Sequence, residues 1–265
     1  MMEKKKIQGH EKYRPPLSGW MGGKSLLAKR IVERLPEHQC YVEPFAGAAW
    51  ILFNKPESKA EILNDINHDI VNLYRVIRNH YEEFINCFNL LLVSREEFTR
   101  LRAVLPETLT DIQRAVRFYY LHHCGFNGRV KAPTFRCATG TKPKMNLLLL
   151  KEQITAVHER LRRVYVECRP YAEVISLYDR PDTVFYVDPP YFGCETYYGN
   201  GIFAQDDFSI LAAQLQGIQG KCVISLNDAP EIREVFKGFR LEEISTGYTA
   251  GGARKPVTEL LLYNW

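Results

Sequence analysis

Two hydrogen-bond acceptors at the end of a buried strand can grip an N–H group, and residues 184–191 carry such a pair. Val184-Phe185-Tyr186-Val187 is an apolar run that ends in Asp188-Pro189-Pro190-Tyr191. The prolines stop sheet pairing and stiffen the backbone. The Asp188 carboxylate and the Pro189 carbonyl both accept, and the Tyr191 ring offers a face for stacking. In an open α/β sheet, ligands sit beyond the carboxyl ends of the strands, where this tetrapeptide falls. A Pro-rich turn after a buried strand is the plainer alternative.

Asp-Pro-Pro-Tyr after a strand resembles the motif with which DNA methyltransferases acting on exocyclic amines hold their target nitrogen. The adenine N6 amine is a poor nucleophile because its lone pair is delocalised into the ring. Asp188 and the Pro189 carbonyl can each accept an N–H, aligning the nitrogen and stabilising the positive charge that develops on attack. A base inside a duplex cannot reach such a site and must be flipped into a pocket, where Tyr191 replaces lost stacking.

A second ligand needs its own site, and Glu43-Pro44-Phe45-Ala46-Gly47 puts small residues after another strand, where backbone can approach a ligand closely. Asp65 lies 18 residues beyond Gly47, near the spacing of about 20 at which an acid reaches ribose hydroxyls. A glycine after a strand is equally an ordinary turn. No Gly-x-Gly-x-x-Gly pattern is present, which weakens a nicotinamide or flavin reading. Gly23-Lys24-Ser25 resembles the end of a phosphate-binding loop, but Ser18 stands where that loop needs glycine, and the preceding residues are polar.

The elements that position these residues follow from periodicity. Apolar residues at 26, 27, 31, 32 and 35 predict a helix over Ser25 to Leu35. Strands are expected at Tyr41 to Phe45 and Ala60 to Leu63, followed by a helix from His68 to Arg78. Further strands are expected at Val164 to Glu167, Thr183 to Val187, Cys222 to Leu226 and Val257 to Tyr263. Helical patterns at Asp207 to Leu215 and Pro230 to Phe236 lie between the later ones. Strand and helix alternating predict a parallel sheet. Residues 80–161 interrupt it with helical segments around a polar stretch, Gly125 to Asn146, and read as an insert. The expected division is therefore a flexible lead over 1–16, a catalytic domain from 17–79 and 162–265, and a target-recognition DNA-binding insert over 80–161.

The chain has 265 residues, 46% hydrophobic and 25% charged. It has no apolar run near the roughly 18 residues of a membrane span, and Met1 to Ile7 lacks the apolar stretch of a secretory signal. A soluble, cytoplasmic protein without a membrane partner is expected. Seven cysteines, an odd number with no Cys-x-x-Cys pair, argue against a disulfide framework or a zinc ribbon. His122, His123, Cys124 and Cys137 fit no standard zinc spacing, so no metal is expected. The net charge of +4 is compatible with nucleic acid and settles nothing alone.

Trp20-Met21-Gly22-Gly23-Lys24, Val42-Glu43-Pro44-Phe45-Ala46-Gly47-Ala48, Leu63-Asn64-Asp65 and Asp188-Pro189-Pro190-Tyr191, in that order, resemble the Dam-type (D12 class) adenine-specific DNA methyltransferases. Phe203 to Leu211 and Arg254 to Leu261 extend the likeness over nearly the whole chain after Ser18. The resemblance implies an α/β, Rossmann-like class I methyltransferase sheet carrying a mainly helical DNA-recognition insert. It implies S-adenosylmethionine as donor, contacted by Trp20, Gly22, Gly23, Lys24, Glu43 to Gly47, Asp65 and Asp188, with Lys24 answering the cofactor's carboxylate. Arg117 to Arg129 is similar to the family's DNA-meeting helix and loop, where Phe126 matches a wedge inserted into the base stack and Asn127 a base reader. Gly128, Arg129, Lys131 and Arg136 complete the expected duplex-DNA contacts, and Arg117, Lys142 and Lys144 are further candidates for following phosphates.

The chain departs from the family pattern in three places. Ala49 stands where glycine is frequent, and Arg136 to Gly140 differs from the run usual in close Dam relatives, so recognition of GATC does not follow. Ser225-Leu226-Asn227-Asp228 matches the expected pocket motif only loosely. Methylation of cytosine N4, an RNA or protein amide substrate, and a non-catalytic DNA-binding relative are the competing functions. A partner nuclease and the biological role, from restriction-modification to phage self-modification, stay open, and nothing in the sequence asks for an obligate protein partner. A bacterial or phage-encoded protein acting on DNA is expected.

Overall fold

The computed structural model describes residues 13–20, 22–89, 91–126, 133–137, 140, 145–195, 202–250 and 253–265. Among them, β1 (Cys40–Glu43), β2 (Ala60–Asn64), β3 (Val164–Glu167), β4 (Thr183–Val187), β5 (Lys221–Asn227), β6 (Arg240–Ala250) and β7 (Ala253–Tyr263) form one sheet in the order β3-β2-β1-β4-β5-β7-β6. The first five run parallel, and β7 is antiparallel to both β5 and β6. This is the α/β, Rossmann-like architecture expected from the sequence. The strand order reverses between β1 and β4, a topological switch point that opens a crevice at their carboxyl ends.

The central strands are buried on both faces, which is why they read as continuous apolar runs. Tyr41, Leu63, Val184, Tyr186 and Val223 face one core, while Val42, Ile62, Phe185, Val187 and Ile224 face the other. The second core is covered by α8 (Tyr171–Tyr178), α9 (Gln205–Gln216) and α10 (Pro230–Val235). On the first lie α1 (Ala28–Val32), α2 (Trp50–Asn54) and α3 (His68–Asn79).

Residues 80–161 supply α4 (Tyr81–Phe88), α5 (Arg95–Ala103), α6 (Asp111–Cys124) and α7 (Leu147–Leu161). They do not build a separate core. Phe84, Phe88, Tyr119, Ile154 and Val157 join the same apolar cluster as Leu73, Tyr74 and Ile77 of α3, so the helical segment is anchored on the sheet domain through α3. Packing also begins before Leu17: Pro15 and Pro16 are buried, and His123 Nε2 donates to the Pro16 carbonyl at 2.8 Å. Residues 1–12 of the expected lead lie outside the described residues.

Some elements differ from expectation. The first helix spans Ala28–Val32 rather than Ser25 to Leu35, because its flanks are closed by tighter i to i+3 bonds such as Leu27 N–H to Lys24 O and Leu35 N–H to Val32 O. β6, α2 and α8 carry no strong periodic signal. β6 is an edge strand rich in polar residues, as unpaired sheet edges commonly are, and α2 is a five-residue helix, too short for a period to register. No described helix is long and apolar enough to cross a membrane.

Candidate active site

A cleft of about 790 Å³, counting the space at its open mouth, lies at the switch point. It is lined by ten of the eleven expected cofactor residues: Trp20, Gly22, Gly23, Lys24, Glu43, Phe45, Ala46, Gly47, Asp65 and Asp188. Pro44 is not in the lining. It is buried behind it, its carbonyl accepting from Asn64 Nδ2 at 2.9 Å. Asn64 also bonds both polar backbone groups of Arg169, so one amide at the end of β2 ties the loop after β1 to the chain after β3.

That loop needs unusual backbone. Gly47 lies at φ +48°, and a Cβ there would come within 3.2 Å of Trp20 Nε1. A Cβ on Gly23 would meet the Trp20 carbonyl at 2.9 Å. These glycines hold the wall close to Trp20. Asp65 accepts the Gly47 N–H at 2.9 Å and the Asn67 N–H at 2.8 Å, and Tyr74 OH donates to the Gly47 carbonyl. The acid expected to meet a ribose therefore also shapes the loop. Burial raises its pKa, against the pull of these N–H groups.

Ala49 caps α2 at φ +53°, ψ +39°, in the left-handed region. A side chain there costs about 1–2 kcal/mol, offset in part by the extra unfolded-state freedom of glycine. We expect Ala49→Gly to stabilise the protein by about 0.5–1 kcal/mol, read as a higher urea midpoint at unchanged slope. A midpoint at or below that of the parent protein would contradict it.

At the other wall, Lys24 is buried at 3% exposure. Its ammonium lies 2.6 Å from Asp188 Oδ1, 3.0 Å from the Tyr191 hydroxyl and 3.4 Å from Glu259 Oε1. Tyr191 OH lies 2.7 Å from each Glu259 oxygen, and Ser225 Oγ donates to Glu259 Oε1 at 2.6 Å. Lys24, expected to answer a cofactor carboxylate, is thus engaged by Asp188. Burial raises the Asp188 pKa to about 6; Lys24 pulls the other way, and Glu259 adds to the rise. Glu43 is pushed up to about 8 by burial, despite hydrogen bonds from Tyr41 OH and Leu52 N–H. At neutral pH Asp188 is largely charged, whereas Glu43 is mostly neutral. Tyr186 lines the same cleft, and its hydroxyl is buried.

Glu259 and Ser225 were not among the residues singled out as site candidates, although Glu259 falls inside the Arg254 to Leu261 likeness. Tyr186 was missed too, although its position two residues before Asp188 puts it on the same sheet face. Asn227, in the loosely matching motif, accepts the Phe192 N–H at 2.9 Å and donates to the Phe192 carbonyl, pinning the loop after Tyr191.

Residues 80–161 touch this site through α6. Phe118 and His122 pack against Trp20, with ring centroids 6.2 and 5.7 Å apart. α6 runs into Gly125, where a Cβ would collide with the Leu121 carbonyl at 2.6 Å. There the chain turns, and Phe126, 50% exposed, bonds through its N–H to Thr134 O. Arg136 is half-buried, and its N–H bonds the Cys124 carbonyl. Asn127, Gly128, Arg129, Lys131, Lys142 and Lys144 lie outside the described residues. Arg117 donates to the Leu101 and Arg102 carbonyls at the end of α5, which commits two of its five guanidinium N–H groups internally. Among the described residues, no three His, Cys, Asp or Glu side chains gather as a metal site.

A family model described as D12 class N6 adenine-specific DNA methyltransferase matches residues 20–250. The chain is 29% identical over 264 residues to a DNA adenine methylase of Vibrio cholerae serotype O1, covering 91% of this chain and 93% of that protein. It is 28% identical over 260 residues to the DNA adenine methylase of Escherichia coli K12, covering 91% and 92%. To the retron Ec67 DNA adenine methylase of Escherichia coli it is 27% identical over 256 residues, covering 91% and 88%.

Proposed function

The chain belongs to the D12 class of N6 adenine-specific DNA methyltransferases, and on that premise we propose that S-adenosylmethionine binds the cleft at the β1/β4 switch point while Asp188 holds the adenine amine of flipped-out duplex DNA. Its activity is methylation of adenine in DNA. The observation that carries the proposal is the cleft itself: one wall is the Gly47 loop closed against Trp20, the other is Asp188 at the end of β4. The residues fit such a cofactor. The left-handed Gly47 leaves room for close backbone approach, and Asp65 keeps unused lone pairs beside the backbone N–H bonds it accepts. When bound, the cofactor supplies an electrophilic methyl group.

The residues of the chain do the rest. The Asp188 carboxylate and the Pro189 carbonyl each accept one amine N–H, turning the nitrogen lone pair out of conjugation and toward the donor. Pro190 keeps the backbone stiff, and Tyr191 offers its ring to the extruded base. Lys24 keeps Asp188 oriented and ionised. Residues 80–161 read the duplex: Phe126 enters the base stack, Asn127 contacts a base edge, and Arg129, Lys131 and Arg136 follow phosphates.

Incubating the protein with labelled S-adenosylmethionine and mixed-sequence duplex DNA, then sequencing single molecules for modified bases, tests this reading. N6-methyladenine in one short motif is expected. N4-methylcytosine, label on single strands alone, or no transfer by folded protein would overturn it.

A further inference from the structure

Glu259 belongs to no part of the motif that defines the site, yet it contacts Tyr191, Ser225 and Lys24. It is fully buried on β7. Because β7 runs antiparallel to β5, its early residues lie at the carboxyl end of the parallel strands, with Glu259 registered opposite Asn227. A residue 68 positions after Tyr191 thereby reaches its hydroxyl with both carboxylate oxygens at 2.7 Å. Ser225 Oγ donates to Oε1 at 2.6 Å, which fixes the carboxylate in turn. Lys24 sits between the two acids, 2.6 Å from Asp188 and 3.4 Å from Glu259, with its ammonium 4.6 Å from the centre of the Tyr191 ring.

We infer that Glu259 is a positioning residue for methyl transfer: it clamps the Tyr191 hydroxyl, and so the place of the ring on which the target base stacks, and it shares Lys24 with Asp188. The phenol oxygen lies on the ring's Cβ–Cγ axis, so holding it between both carboxylate oxygens fixes the direction of that axis and with it where the ring stands beside Asp188. Sharing Lys24 has a second consequence. Asp188 is faced by Lys24, Glu43, Tyr186 and Glu259, and through Lys24 by Tyr191; among these, Lys24 lowers its proton affinity while burial and Glu259 raise it. Removing the Glu259 charge leaves Lys24 wholly to Asp188, so Asp188 ionises at lower pH. A purely structural Glu259 would shift stability without moving that titration.

This inference rests on the role proposed above for Asp188 and Tyr191, and the test separates the two. The parent protein, Glu259→Gln, Tyr191→Phe and the double variant are compared for kcat/KM with duplex DNA across pH, with thermal unfolding as the check on folding. Each single variant is expected to lose about tenfold or more, the scale of a hydrogen bond to a charged group. The double variant should lose little beyond the worse single one, since both remove the same contact, and the acid limb of Glu259→Gln should move to lower pH. Additive losses, an unmoved acid limb, or parental rates in Glu259→Gln would overturn the inference. Should Glu259→Gln fail to fold, Tyr191→Phe carries the test alone, and parental kcat/KM in that variant overturns the clamp. A parent protein that transfers no methyl group refutes the earlier reading instead.

Discussion

Asp188→Ala is expected to lower the single-turnover rate of methyl transfer by about 10²–10³-fold, the range found when one preorganised electrostatic contact to a transition state is removed, with a far smaller change in affinity for DNA. The amine is neutral in the ground state and carries positive charge as the new N–C bond forms. A carboxylate at its N–H therefore binds the transition state more strongly than the substrate, and its loss appears in the chemical step rather than in binding. The variant should still fold, because Lys24 keeps a buried counter-charge in Glu259 at 3.4 Å. Asp188→Asn keeps the volume and one acceptor oxygen but not the charge, so it should fall between the two. A single-turnover rate near the parental value in Asp188→Ala, with intact folding, would remove Asp188 from the mechanism.

The same residue is expected to set the pH dependence. With its pKa raised to about 6, Asp188 takes up a proton as pH falls through that value and ceases to be a charged acceptor. Thus kcat/KM should be level above about pH 6 and fall about tenfold per unit well below it. An acid limb at the ordinary aspartate value would mean that burial does not govern this group in the working enzyme.

The site was legible in part because its key residues sit at the ends of strands with strong local signals. Val184 to Val187 is an apolar run punctuated by two prolines, and the glycines and alanines after β1 mark a close backbone approach. Both features depend only on neighbours in sequence. Glu259 depends on the pairing of β7 with β5 and on strand direction, which no local pattern encodes. Lys24 shows the same limit from the other side: its place beside Gly22 and Gly23 suggested a ligand, whereas its closest partner is Asp188, 164 residues away. The left-handed Ala49 is a further case, since an alanine gives no hint of that conformation. In the fold, the strands buried on both faces declared themselves, and polar, edge-lying β6 did not.

Glu61→Ala should be the most destabilising single substitution considered, costing about 3–5 kcal/mol because it strands two buried cations. Glu61 on β2 is 3% exposed. One of its oxygens lies 2.6 Å from Lys55 Nζ, at the end of α2, and 2.8 Å from Arg160 Nη2, on the last turn of α7. Arg160 also donates to the Leu52 carbonyl at 3.0 Å, and Lys55 to the Pro56 carbonyl and Ser58 Oγ, both at 2.7 Å. Burial opposes ionisation of Glu61, but Arg160 and Lys55 prevail and hold its pKa below the ordinary value. A depressed acid stabilises the fold above its unfolded pKa and loses that contribution as pH falls through the folded one, so parental stability should decline on acidification by an amount that Glu61→Gln lacks. Against a total of about 5–15 kcal/mol for a typical domain, the loss in Glu61→Ala amounts to a large share. Replacing Lys55, Glu61 and Arg160 together with apolar residues of like size should restore most of it, since the penalty comes from unpaired charge rather than from the missing bonds. Urea unfolding of the single and triple variants measures both. The consequence reaches the cleft, because Arg160 stands near the end of the helical segment that carries Phe126 and bonds it to α2, whose cap is Ala49 in the cleft lining. A single variant that unfolds at the parental midpoint would show that these ions are hydrated in solution rather than buried.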